Sequence, residues 1–110
     1  MIKNGMRPIH PGEILQEEFL VPLGMTATAL ARALHMTPAR VSAIVRQKRG
    51  ISAETALRLS RYFGGDAQSW LNLQQAYDLK VAQETALDKI MTEVQPRTPG
   101  NEKAGLPLAA

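Results

Sequence analysis

The chain has 110 residues, of which 45 % are hydrophobic but only 5 % aromatic, so it can bury one small aliphatic core and points to helices rather than a β-sandwich. It has no cysteine, which excludes disulfides and thiolate zinc sites. Net charge is +3 with a pI near 9.6. No apolar run approaches the roughly 18 residues of a membrane span, and the first ten residues lack a leader's apolar stretch, so a cytoplasmic protein is expected.

Residues 1–9 are polar, carry Gly5 and Pro8, and are expected to form a flexible arm. His10 can cap a helix that Pro11 opens, because a proline at the first helical position gives up no intrahelical bond. Glu13 then sits in the first turn, where the helix dipole favours a carboxylate. Ile14, Leu15 and Phe19 are expected to face inward and Pro22 and Gly24 to close the segment. Leu23 and Met25 are expected to tuck under the core.

Two short helices follow, joined by a tight turn. Thr26 caps the first, over Ala27–Leu34, with Leu30, Ala31 and Leu34 inward. His35–Met36 forms the turn, His35 at a position that often needs a left-handed backbone and Met36 plugging the corner. Thr37 caps the second helix, with Pro38 at its first position. Val41, Ile44 and Val45 face inward. At about 100° per residue the opposite face carries Ala39, Ala43 and Arg46, flanked by Arg40, Ser42 and Gln47. A helix that is small at its centre and basic at its edges suits close approach to something negative, as in a helix-turn-helix that reads DNA.

Gln47–Ile51 reads as a basic loop bent at Gly50. Ser52 caps a helix over Ala53–Phe63, with Ala56, Leu57, Leu59, Ser60 and Phe63 on its inner face and Arg58 and Arg61 outward. Gly64–Gly65 ends it, and Asp66 caps a fifth helix with Trp70, the expected centre of the core, Leu73, Tyr77 and Val81 at spacings of three or four. This helix can continue through Leu87, Ile90 and Met91. The domain is therefore expected over residues 10–91, and residues 92–110, rich in Pro, Gly and small residues, are expected to be a flexible tail.

Charge is unevenly spread. Between Phe19 and Ala53 there is no acid, while the same interval holds Arg32, Arg40, Arg46, Lys48 and Arg49. Such a single-sign patch is the footprint of a polyanionic partner.

The segments HPGEIL, FLVPLGM, TPARVSAIVRQKRGIS, TALRLSRYFG and SWLNLQQAYDL together resemble the HigA/VapI family of antitoxins, a branch of the Xre/Cro-type repressors. The resemblance covers about His10 to Val81. It implies an all-α, five-helix domain of the lambda-repressor kind, with a C-terminal helical extension. It also implies a homodimer on a palindromic operator near its own genes, and a RelE-like mRNA endonuclease toxin as the partner that the protein neutralises. Two positions depart from the family pattern. The common glycine of the turn is His35, and the residue opening the first motif helix, often a phosphate-contacting glutamine, is Ala27. Backbone N–H groups and the Thr26 hydroxyl are expected to take over that phosphate contact.

The candidate base-contacting residues are Thr37, Ala39, Arg40, Ser42, Ala43 and Arg46, since arginine can bond guanine in bidentate fashion and alanine methyls can meet thymine methyls. The candidate phosphate contacts are Thr26, Arg32, Lys48 and Arg49. The apolar residues Leu79, Val81, Leu87, Ile90 and Met91 exceed the needs of a small core and are assigned to a dimer interface. No enzymatic activity, cofactor or metal is expected: the two histidines have no third ligand at metal spacing, and no serine has an evident base. A repressor without a toxin and a protein-binding module with a basic face are the alternatives.

Overall fold

A computed structural model describes residues 7–97; most of the expected arm, and the expected tail from residue 98 onward, lie outside the described residues. Among the described residues the chain forms five helices and no strand. Helix α1 runs through three consecutive pieces, Pro11–Ile14, Leu15–Leu20 and Val21–Leu23, the middle one π-helical. Helices α2 (Ala27–Leu34), α3 (Pro38–Val45), α4 (Ala53–Phe63) and α5 (Ala67–Glu93) follow. No helix among these residues is long and apolar enough to cross a membrane.

Side chains start all five helices, His10 capping α1. The oxygens of Thr26, Thr37, Ser52 and Asp66 accept the backbone N–H groups of Ala29, Arg40, Thr55 and Ser69, at 3.0, 3.2, 3.2 and 2.8 Å. Each such cap contributes about 1 kcal/mol. The Asp66 carboxyl is held below its ordinary pKa by hydrogen bonding from the Ser69 side chain and, next, from its backbone N–H.

The π segment explains a residue that helical spacing passes over. Leu15 and Leu20 are both fully buried. Five residues apart, they would diverge by about 140° on an α-helix; the wider π turn, at about 80° per residue, brings them within about 40° of each other. Pro22 follows at once. It has no N–H to offer, and its ring would crowd the carbonyl four residues back in a regular helix. The widened turn absorbs it, and the Val21 N–H reaches the Gln16 carbonyl instead.

The core is aliphatic. Leu15, Leu20, Leu30, Val41, Ile44 and Leu59 are its most enclosed side chains. Trp70 is buried in the same cluster, its ring 5.3 Å from that of Phe19. Helix α2 packs on α3 and α4, α4 packs on α5, and α1 bridges α3 and α5. Three sequence expectations are corrected. Leu23 is 60 % exposed and does not tuck under the core, whereas Met25 does pack against it. Leu57 is 61 % exposed, because it lies on the far side of α4 from Ala56 and Leu59. Arg58 does not point away; it folds back, half-buried, toward α2.

Candidate nucleic-acid interface

The turn between α2 and α3 is locked from both sides. His35 takes a left-handed backbone, φ 58°, ψ 46°. That lets the Met36 N–H reach back to the Ala31 carbonyl at 2.9 Å. The carbonyl of Leu34, left over at the helix end, accepts from Arg58 Nη1 at 2.9 Å. Arg58 Nη2 in turn pairs with Glu54 at 2.7 Å. Its guanidinium hydrogen bond, and secondarily its charge, holds the Glu54 carboxyl below the ordinary range, with a smaller contribution from Arg40. Glu54 is the first acid after the acid-free interval, so the positive face ends beside Arg40.

Helix α3 presents two faces. Val41 and Ile44 are buried, while Thr37, Ala39, Arg40 and Arg46 are exposed and Ser42 and Ala43 are half-buried. Ala39, Ala43 and Arg46, at i, i+4 and i+7, share the outer face. The structure therefore brings the six candidate base-contacting residues together on one helix and its two ends. Thr26, Arg32, Lys48 and Arg49 are also exposed, at the start of α2, on its flank, and in the loop after α3. The Thr26 oxygen already accepts a cap hydrogen bond. Its O–H remains available as a donor.

The back of α3 is held by α1. Gly12 lies so close to the Ile44 carbonyl that a Cβ there would collide with it. His10 Nδ1 accepts the Gly12 N–H at 2.8 Å, and the ring of His10 meets Tyr77 of α5 edge to face at 4.8 Å. Arg7 pairs with Glu13 through two contacts of 2.8 Å, which lowers the Glu13 pKa. The HPGEIL segment thus clamps the reading helix from behind.

The loop after α3 differs from expectation. The chain turns at residues 46–49, with Gln47 left-handed at φ 64°, and not at Gly50. Lys48 N–H closes the helix by donating to the Ala43 carbonyl at 2.8 Å. Glutamine seldom adopts this conformation, so nothing in the sequence marked it. Arg58 was missed as a strut for the same kind of reason: its partner is a backbone carbonyl on another helix.

On α5, Leu79, Leu87, Ile90 and Met91 are exposed, while Val81 is half-buried on the side facing the core with Trp70 and Tyr77. Ala76, Leu79, Gln83, Ala86 and Ile90 follow one another at alternating steps of three and four, a continuous seam on the helix's outer side. No cluster of three or more metal-binding side chains occurs among the described residues.

The helix-turn-helix family profile matches residues 16–70. Virulence-associated protein I of Dichelobacter nodosus is 67 % identical over 82 residues, spanning 74 % of this chain and 76 % of that protein. Antitoxin HigA-1 of Vibrio cholerae is 38 % identical over 79 residues, 72 % of this chain and 74 % of the other. The solved structure of Pseudomonas aeruginosa antitoxin HigA with the higBA promoter superposes with a TM-score of 0.80 at 49 % identity, covering 84 % of this chain and all of that one. The chain belongs to the Xre-type helix-turn-helix family, in its HigA/VapI antitoxin branch.

Proposed function

We propose that two copies of this chain bind a palindromic DNA operator, the α3 helices entering the major groove about one DNA turn, ~34 Å, apart. Arg40 and Arg46 read base edges, helped by Thr37 and Ser42, and the Ala39 and Ala43 methyls meet thymine methyls. Thr26, Arg32, Lys48, Arg49 and the free N–H groups at the start of α2 take phosphates. The dimer forms along α5, with Leu79 and Ile90 in its seam, Leu87 and Met91 on the flank beside it and Val81 bracing it from the core side. As an antitoxin, the chain binds and neutralises a RelE-like endonuclease and represses the operon that encodes both.

The observation that carries DNA binding is the exposed face of α3, small at its centre, basic at its edges and free of acids, on a helix held from behind by α1. The relative solved with promoter DNA supports the same reading. The test is a pair of variants assayed against DNA from upstream of the chain's own gene and against scrambled duplex. Arg46→Ala should cost about 1–3 kcal/mol and relax base preference at one position, whereas Lys48→Ala should weaken all sequences evenly. Equal binding of both DNAs by the parent and both variants would contradict the assignment. The toxin is tested by co-expression with the product of the adjoining gene, with mRNA cleavage as readout. Unrestrained cleavage and no co-purification would leave a repressor without a toxin.

A further inference from the structure

We infer that Gln74 is a positioning residue for DNA binding, a latch by which α5 fixes the basic loop after the reading helix; this rests on the DNA-binding role proposed above. The loop carries Arg46, Lys48 and Arg49, all exposed. Its upstream end is fixed by the bond from Lys48 N–H to the Ala43 carbonyl. Its downstream end is fixed from a helix 23 residues further on, where Gln74 Oε1 accepts the Ile51 N–H at 2.7 Å. The amide is itself oriented, since Gln74 Nε2 donates to Asp78 Oδ1 at 2.9 Å. That bond leaves the carbonyl oxygen, the end that can accept, turned toward the loop.

Gly50 completes the latch. A Cβ on it would come within 3.1 Å of all three terminal atoms of the Gln74 side chain. Gly50 does not have a positive φ. What Gly50 supplies there is room rather than backbone freedom: a Cβ needs the Gln74 amide to shift by a few tenths of an ångström. Ile51, next in the chain, is buried. The sequence from Arg46 to Ile51 is thus anchored at both ends, and only its basic side chains stay free. Gln74 also lies on the helix that carries the Ala76–Leu79 part of the outer seam. In the dimer proposed above, one helix sets both the partner copy's position and the path of the loop, so the spacing between the two basic loops follows from α5. Without the amide, the Ile51 N–H loses its acceptor and the loop samples more positions, so its cations meet phosphates less often.

The experiment uses the full chain in parent, Gln74→Ala, Gly50→Ala and doubly substituted forms. Operator affinity is measured by fluorescence anisotropy across a salt series, alongside thermal melting, dimer mass and NMR exchange of the Ile51 amide. Gln74→Ala should weaken operator binding about fivefold to tenfold, the size of one net hydrogen bond in an equilibrium constant. It should also flatten the slope of log K against log salt by about 1.8, one phosphate contact in each copy of the dimer. Dimer mass should stay unchanged and Ile51 exchange should accelerate. Gly50→Ala should do the same by displacing the amide from outside, and it covers the case in which Gln74→Ala fails to fold. The double variant should bind no worse than Gln74→Ala, because the vacated space receives the new methyl. Parent-like affinity and slope in Gln74→Ala, or additive losses in the double variant, would overturn the latch alone. A parent chain with no preference for the operator would overturn the DNA-binding role and the latch together.

Discussion

At the scale of single residues, the back of the reading helix depends on two side-chain choices that look minor in the sequence. Gly12 is the only residue type that lets α1 approach the Ile44 carbonyl. Gly12→Ala should cost about 3 kcal/mol, since a backbone carbonyl cannot give way as a flexible side chain can; chemical denaturation measures it. His10 caps α1 through Nδ1, which only the neutral ring can do. Burial lowers its pKa, with Asp78 opposing in part. The unfolded chain, with its histidine titrating near 6.5, therefore binds the proton more readily than the folded one. This contribution to stability is fully present above about pH 6.5 and is lost as pH falls from there through the lower folded-state pKa. Melting temperature should drop as pH falls below about 6.5, and His10→Asn, which caps without titrating in this range, should reduce that drop. An equal drop in both proteins would contradict the role given to His10. The sequence made His10 legible as a cap, because a histidine directly before a helix-opening proline has few other uses. It did not reveal Gly12, whose constraint lies in another helix.

At the scale of helices, the boundaries of α2 and α4 follow from their caps and turn residues, and both run as the sequence predicts. Helix α1 shows why spacing alone misleads. An α-helical template places Ile14, Leu15 and Phe19 inward and omits Leu20, which the π turn buries. Leu57 fails for the opposite reason: it is apolar, but its angular position on α4 faces water. Helix α5 keeps an apolar stripe beyond the last residue the core can use. If that stripe pairs two copies, a charge within it disrupts the pair without unfolding the monomer. Leu79→Glu combined with Ile90→Glu should give a monomer of unchanged helicity by sedimentation and circular dichroism. The lost linkage of two half-sites should lower operator affinity by about tenfold or more. A dimer that persists in this variant would move the interface elsewhere.

At the scale of the whole molecule, the uneven charge is what the sequence conveyed most directly. The interval from Phe19 to Ala53 has no acid. In the fold its cations stand exposed on α2, the reading helix and the following loop, and the two helices pack on each other. The family followed from segments outside that interval as much as from within it, and the structure explains why. HPGEIL clamps α3 through Gly12 and His10, and the last segment carries Gln74 and Tyr77, which hold the loop and the clamp. What the sequence could not convey were contacts between distant backbone and side chain, such as Arg58 on the Leu34 carbonyl and Gln74 on Ile51. These have no period and no motif.

The central claim is that the basic face binds operator DNA through several phosphates at once, and the most direct measurement is a salt titration. Affinity for duplex from upstream of the chain's own gene should fall linearly in log K against log salt. Three cationic phosphate contacts per copy, Arg32, Lys48 and Arg49, give six per dimer and a slope of about −5. Scrambled duplex should bind more weakly with a comparable slope. Binding that is insensitive to salt, or equal on both duplexes, would contradict it.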